Sequence, residues 1–257
     1  MNRSSAMFSV LLPAAGSGKR FNSTASRRQS PIPLEDKLLR DISGRTVLQR
    51  AVGLFAGRPE VEKVLIVTGA ERFDGYRQHL AKMIDMEKLA FVAGGRERWE
   101  SVLFGLRFLA EGGGGVGDVG GAPRFVAVHD AARPLTPAAV IEEAFRVTAE
   151  RGAALPCVAE PATLKRRGAD GAVSETVSRA NLFQAQTPQC FDFAKLLAGY
   201  EALLKEGRLA DVTDDAQVFE RCGHPVPITA GSPLNLKITT AEDLALARAL
   251  AGPVAGP

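Results

Sequence analysis

Along the chain, short β-branched and Leu-rich runs alternate with longer stretches of helical period, the signature of βαβ units and a parallel sheet. The apolar runs predict strands over Phe8 to Leu12, Val61 to Val67, Leu89 to Ala93, Phe125 to His129, Ala153 to Ala159 and Val226 to Ala230. Helix starts are marked between them. Thr46 with Gln49 reads as a capping box for a helix to about Ala56, and Thr136-Pro137 as a cap and first-turn proline before a helix over Ala138 to Glu150. Thr240 with Asp243 opens a C-terminal helix.

Three segments interrupt the alternation. Residues 21–36 are polar with Pro31 and Pro33, and residues 111–121 are a Gly-rich connector. The third, Thr163 to Arg179, holds Gly168-Ala169-Asp170-Gly171 between Thr- and Val-bearing flanks, so it predicts a β-hairpin that projects and needs a partner surface.

Composition narrows the class without changing the fold. At 257 residues, 46% hydrophobic and 24% charged, one domain buries roughly 70–75% of its unfolded surface without metal or disulfide staples. A single domain over 1–257 is expected. The formal charge of +3 is too small for bulk attraction to nucleic acid or membrane, so any anion binding is local. Cys157, Cys190 and Cys222 form neither CxxC nor a zinc-spaced cluster, which suggests a reducing cytoplasm. No apolar run approaches the roughly 18 residues that cross a bilayer. The run Ala6 to Ala15 has the look of a short signal peptide but flows into Gly16-Ser17-Gly18-Lys19-Arg20, and reads better as a strand feeding a phosphate loop.

That loop, Pro13-Ala14-Ala15-Gly16-Ser17-Gly18-Lys19-Arg20, is the strongest chemical signal. Small residues let backbone N–H groups approach a polyphosphate, and Lys19 and Arg20 add compensating charge. A Walker loop needs Gly where Pro13 stands and Ser or Thr where Arg20 stands, and a dinucleotide fingerprint needs a small residue where Phe21 stands. A nucleotidyltransferase-type loop remains, with a solvated Gly-rich turn as the alternative. The second signal is Val126 to Pro134, a strand ending in Asp130 with Arg133 beyond it, at the carboxyl end where parallel sheets bind ligands. Its alternative is that Asp130 caps a turn and Arg133 merely pairs with it. Strand alternation alone accounts for His129, and no Ser, His and Asp set supports acyl transfer. Lys37, Arg179 and Lys237 complete a set of cations suited to nucleotidyl transfer onto a phosphate, a reaction that requires charge cancellation more than a strong base.

With Gly94-Gly-Arg-Glu-Arg-Trp-Glu-Ser-Val102, Thr176-Val-Ser-Arg179, Gln186-Thr-Pro-Gln189, Val212-Thr-Asp214 and Asn235-Leu-Lys-Ile-Thr239 added in order, the chain resembles the 2-C-methyl-D-erythritol 4-phosphate cytidylyltransferase family over roughly residues 8 to 250. The resemblance implies a mostly parallel, Rossmann-like nucleotidyltransferase sheet flanked by helices, with the hairpin at about 161–180 a dimerisation arm. It implies Arg20 and Lys37 as cations at the α-phosphate, and Arg179 and Lys237 as cations that position the acceptor. Pro13, Ala14, Ala15, Gly16, Ser17, Gly18, Lys19, Gly95, Ser101, Asp130 and Ala131 fall on the CTP side, and Arg133, Thr163 and Thr187 on the acceptor side. It further implies a cytoplasmic homodimer built by arm exchange, with magnesium or another divalent cation carried by the triphosphate. Neither nucleic acid nor membrane is an expected partner.

The chain departs from the family at Asp36-Lys37-Leu38, where the pattern is usually Pro-Lys-Gln after a shorter spacer, at Ala162 for an Asp, and at Leu234 for an acidic residue. A ribitol 5-phosphate cytidylyltransferase and a non-catalytic nucleotide-binding module are the alternatives. The loop from Phe21 to Asp36 reads as a lid whose Arg27 and Arg28 become protected from trypsin when CTP binds.

Overall fold

Because β1 (Phe8–Pro13) is apolar on both faces, it can only be a central strand covered from two sides. The computed structural model describes residues 7–15, 36–81, 86–112 and 122–252. In chain order β1 is followed by the small hairpin β2 (Asp41–Ile42) and β3 (Arg45–Thr46), then α1 (Val47–Ala56), β4 (Val61–Thr68), α2 (Phe73–Leu80), β5 (Leu89–Ala93) and α3 (Arg98–Ala110). There follow β6 (Phe125–Val128), α4 (Ala138–Arg151), β7 (Ala153–Ala159), β8 (Leu164–Arg167), β9 (Val173–Val177), β10 (Phe183–Ala185) and β11 (Gln189–Asp192). The chain closes with α5 (Phe193–Lys205), α6 (Asp215–Arg221), β12 (Ile228–Ala230) and α7 (Ala241–Ala251).

The main sheet runs β10-β7-β11-β6-β1-β4-β5, with β12 paired to β7. β6, β1, β4 and β5 are parallel neighbours, as the alternation predicts. β11 is antiparallel to both β6 and β7, and β10 is antiparallel to β7. These two strands were not foreseen, since Phe183–Ala185 and Gln189–Asp192 are too short and too poor in β-branched residues to show a period. Phe8, Val10 and Leu12 pack on one face with Leu48, Val52 and Phe55 of α1, Ile141 and Ala144 of α4, and Leu244 of α7. Leu11 faces the other way, among Val102 and Leu106 of α3, Leu196 and Tyr200 of α5, and Phe219 of α6.

Local signals explain most of the boundaries. The Thr46–Gln49 capping box is present in both directions at the start of α1, and Thr240 caps α7 reciprocally with Asp243. The expected cap at Thr136 is not there. Pro137 occupies the N-cap position of α4 without a side-chain bond, because the Thr136 hydroxyl donates instead to Asn235 Oδ1 at 2.8 Å. α4 stops at Gly152, whose φ of 85° is the left-handed geometry that glycine adopts without a Cβ penalty. The strand expected to reach His129 ends one residue earlier, although the His129 N–H still donates to Leu11 at 2.8 Å. The strand expected from Val226 begins at Ile228, since Pro227 has no N–H to contribute.

The predicted hairpin is present as β8 and β9, an antiparallel pair in a sheet of its own. Its side chains are almost all exposed. Among the described residues, no helix is long and apolar enough to cross a membrane.

Candidate active site

β1, β4, β5 and β6 all deliver their carboxyl ends to one edge of the sheet, where open parallel sheets hold ligands. Beyond β1, the Ala14 N–H donates to Val67 at 2.7 Å and its carbonyl accepts from Thr68 Oγ1 at 3.3 Å, so Pro13, Ala14 and Ala15 leave the sheet beside the end of β4. Gly94, at the exit of β5, donates to Thr68 at 2.8 Å. A Cβ on Gly94 would lie 2.9 Å from Ala15 Cβ and 2.9 Å from Ser101 Oγ, which leaves room for glycine alone. Ser101 is buried in the first turns of α3, where its hydroxyl accepts from Gly95 N at 3.1 Å and sits 3.3 Å from the Glu97 carbonyl. Ala14, Ala15, Gly95 and Ser101, far apart in sequence, therefore share one wall. Gly16, Ser17, Gly18, Lys19, Arg20 and, apart from Asp36, the expected lid from Phe21 to Asp36 lie outside the described residues.

At the end of β6, Asp130 gathers three cations. Lys237 Nζ lies 2.8 Å from Oδ2, Arg133 Nε 3.5 Å from Oδ2, and Arg98 Nε 3.6 Å from Oδ1. Burial alone would raise the Asp130 pKa, but Arg98, Lys237 and Arg133 outweigh it and hold the carboxyl well below the usual range. The pairing of Asp130 with Arg133 that the sequence allowed is thus real, and Arg98 and Lys237 add to it. Ala131, the next residue, is buried.

Each of these cations is braced from elsewhere. Arg133 Nη1 donates to the Asn235 carbonyl at 2.6 Å, and Asn235 donates through Nδ2 to Thr187 O at 2.7 Å and to Gln186 Oε1 at 3.2 Å. Gln186 also clasps Ser232 through its N–H and carbonyl at 3.0 and 2.8 Å. These bonds anchor the loop that presents Lys237. Arg98 makes a bidentate contact with the fully buried Asp215, at 3.1 and 2.6 Å, and Tyr200 donates to the same carboxylate at 2.6 Å. Burial would lower the Arg98 pKa, yet Asp215 and Asp130 raise it, so the guanidinium is fixed in charge.

His129 serves this frame rather than the surface of the site. It is fully buried, and burial lowers its pKa to about 4. Nε2 lies 3.1 Å from the Arg133 carbonyl and Nδ1 2.9 Å from Thr187 Oγ1. A carbonyl only accepts, so Nε2 carries the proton and Nδ1 accepts from Thr187, whose oxygen in turn accepts from Asp130 N at 3.1 Å. Thr187 thus orients Asp130 from behind.

Two expected cations sit differently. Lys37 opens a short turn (Lys37–Leu39), and its Nζ donates to the Ile238 carbonyl at 3.0 Å, one residue past Lys237. Arg179 lies on the exposed arm and donates to the Pro161 carbonyl, and Thr163 is likewise exposed. The structure thus brings Asp130, Arg133, Thr187 and Lys237 together with Lys37 beside them, but leaves Arg179 and Thr163 on the arm. Arg98, Asp215 and Asn235 were not singled out from sequence. Arg98 and Asn235 do lie inside quoted motifs, and Asp215 directly follows one.

The family described as IspD, 2-C-methyl-D-erythritol 4-phosphate cytidylyltransferase, matches residues 8–252. A relative from Rhodopirellula baltica named 2-C-methyl-D-erythritol 4-phosphate cytidylyltransferase is 37% identical over 249 residues, covering 95% of each chain. Another from Mesorhizobium japonicum, named bifunctional enzyme IspD/IspF, is 36% identical over 238 residues and 93% of this chain. The chain spans only 53% of that relative's length, about half of the bifunctional protein. The crystal structure of 2-C-methyl-D-erythritol 4-phosphate cytidylyltransferase from Thermus thermophilus is similar at a TM-score of 0.72 and 27% identity, covering 95% of this chain and 98% of the other. That of 4-diphosphocytidyl-2C-methyl-D-erythritol synthase from Anaerococcus prevotii aligns at a TM-score of 0.75 and 25% identity, with 96% of each covered.

Proposed function

The chain belongs to the 2-C-methyl-D-erythritol 4-phosphate cytidylyltransferase family, and from that premise we propose that it transfers CMP from CTP to 2-C-methyl-D-erythritol 4-phosphate, making the cytidine diphospho-sugar alcohol of isoprenoid precursor synthesis and releasing pyrophosphate. The observation that carries this reading is the convergence of Lys237 and Arg133 on Asp130 beside the small-residue wall of Ala14, Ala15, Gly94 and Gly95. A phosphate-bearing acceptor and a triphosphate need cations and close backbone approach, and this edge offers both.

In the reaction, an oxygen of the acceptor phosphate attacks the α-phosphorus of CTP, and the α–β anhydride bond breaks with its electron pair leaving on pyrophosphate. The nucleophile is already ionised, so no protein base is needed. Lys237 and Arg133 hold the acceptor phosphate against its natural repulsion from the triphosphate, and Lys37 and Arg20 take the charge that builds at the α-phosphate. The wall carrying Gly95 and Ser101 receives the base, and Asp130 and Ala131 face the ribose.

Among the described residues no three His, Cys, Asp or Glu side chains are grouped to hold a metal ion, and Asp130 is already committed to three cations. The family resemblance gives a divalent ion as the companion of CTP, held by its phosphates, as small hard cations prefer. When bound, it neutralises phosphate charge and eases departure of pyrophosphate.

The arm fits a homodimer in which Arg179 and Thr163 complete the partner's site, since neither meets the Asp130 cluster in its own chain and the arm's faces are exposed. A cytosolic supply of CTP suits a cytoplasmic location. The test is pyrophosphate release with CTP and magnesium on two acceptors. Turnover on 2-C-methyl-D-erythritol 4-phosphate and none on ribitol 5-phosphate supports the assignment. The reverse preference, or CTP binding without turnover on either, overturns it.

A further inference from the structure

Asp36 stands where the family pattern usually has a proline before its lysine, and it makes contacts that proline has no groups to make. Its Oδ1 accepts from Leu38 N at 3.0 Å, capping the turn that begins at Lys37. Its Oδ2 accepts from the Tyr76 hydroxyl and lies 3.3 Å from Arg72 Nη1. The same Nη1 is 3.5 Å from the Ala14 carbonyl. One guanidinium nitrogen on the short turn before α2 thus ties the exit of β1 to the residue before Lys37. From there Lys37 reaches Ile238, next to Lys237.

The need for such a tie is physical. A three-residue helical turn has almost no ladder of its own to fix its place. A lysine that must meet a phosphate loses most of its effect if its base shifts by about an ångström. A proline would stiffen φ before the lysine but could not bind the turn to β1 or α2. Tyr76 is 1% exposed, and burial followed by Asp36 keeps its hydroxyl protonated and donating. Arg72 and Asp36 are both partly shielded, which strengthens their pairing relative to a surface ion pair.

We infer that Asp36, Arg72 and Tyr76 form a latch that sets where Lys37 stands between the nucleotide wall and the Lys237 loop, and that Asp36 and Arg72 are positioning residues for nucleotidyl transfer. The inference rests on the role proposed above for Lys37. It differs from a purely structural role because it acts through one side chain, and a latch with nothing to hold has no kinetic effect.

The experiment is a double-mutant cycle in the full chain, with pyrophosphate release for kcat and KM and calorimetry for CTP binding. Asp36→Ala should lower kcat by about tenfold or more, with CTP affinity changed by less than about threefold. The Asp36→Ala, Lys37→Ala double variant should be no slower than Lys37→Ala alone. Tyr76→Phe, which removes one hydroxyl without changing volume, should follow the same non-additive pattern with a smaller loss, and carries the cycle if Asp36→Ala does not fold. Unchanged kcat in both variants, or losses that multiply fully in the double variant, overturn the latch while leaving Lys37 its role. Unimpaired kcat in Lys37→Ala overturns the role of Lys37 itself, and the latch with it.

Discussion

Asp130 holds three cations with a single charge, so the loss of any one of them leaves the others paired. Lys237 is the most accessible of the three, its side chain 37% exposed, and its removal should act on catalysis rather than on folding. Lys237→Ala is expected to lower kcat/KM by about 100-fold with a smaller effect on thermal midpoint, because Arg98 and Arg133 still neutralise Asp130. Near-normal kcat/KM would remove Lys237 from the acceptor site. His129 makes the opposite case. Its pKa falls from 6.5 to about 4 in the folded state, so the unfolded chain takes up the proton first. Stability from this residue is complete above pH 6.5 and is lost as pH falls toward 4, by about 3 kcal/mol in all. His129→Gln keeps a donor for the Arg133 carbonyl but cannot titrate, and should flatten the decline in urea midpoint between pH 7 and 5. An unchanged decline would assign it to another group. Asp130, Arg133 and Lys237 were legible as candidates because each follows a strand or sits in a compact motif. Arg98 and Asp215 were not, since they lie 117 residues apart and only the fold, which brings the first residues of α3 and α6 together, reveals the pair.

At the level of elements, two threonines before helices look alike in sequence and do different work. Thr46 caps α1 and touches nothing of the site, whereas Thr136 leaves α4 uncapped and secures Asn235. Each alanine variant should cost about 1 kcal/mol in stability, but only Thr136→Ala should also raise KM for the acceptor, through the loosened loop that carries Lys237. Equal KM in the two variants would show that Asn235 is held without Thr136. Local chemistry made much of the frame readable: the Thr46 and Thr240 boxes, and strands such as Leu89–Ala93 whose residues alternate or run apolar for their whole length. What escaped was set by distant partners. β10 and β11 are strands because β7 and β6 offer them ladders, not because Phe-Gln-Ala or Gln-Cys-Phe-Asp prefers to be extended.

At the scale of the whole molecule, the arm decides whether one chain suffices. Val173 on the arm is 65% exposed, and Phe183 and Ile228 on strands of the main sheet are 47% and 56% exposed, apolar positions that a partner subunit would cover. If Arg179 serves the neighbouring site, Lys37→Ala and Arg179→Ala proteins, each nearly inactive, should regain part of the activity when mixed, because one of the two sites in a heterodimer is then intact. No recovery despite verified subunit exchange would mean that each site is built from one chain. The position of β11 has a consequence for synthesis. It leaves the ribosome after β6 and β7 but lies between them, so until Asp192 has emerged the nascent chain carries the open edge of β6 with apolar Val126 and Val128 upon it. The sheet is therefore sealed through its middle late in translation, and a chain stalled before Gln189 presents the kind of sticky strand edge that chaperones exist to shield.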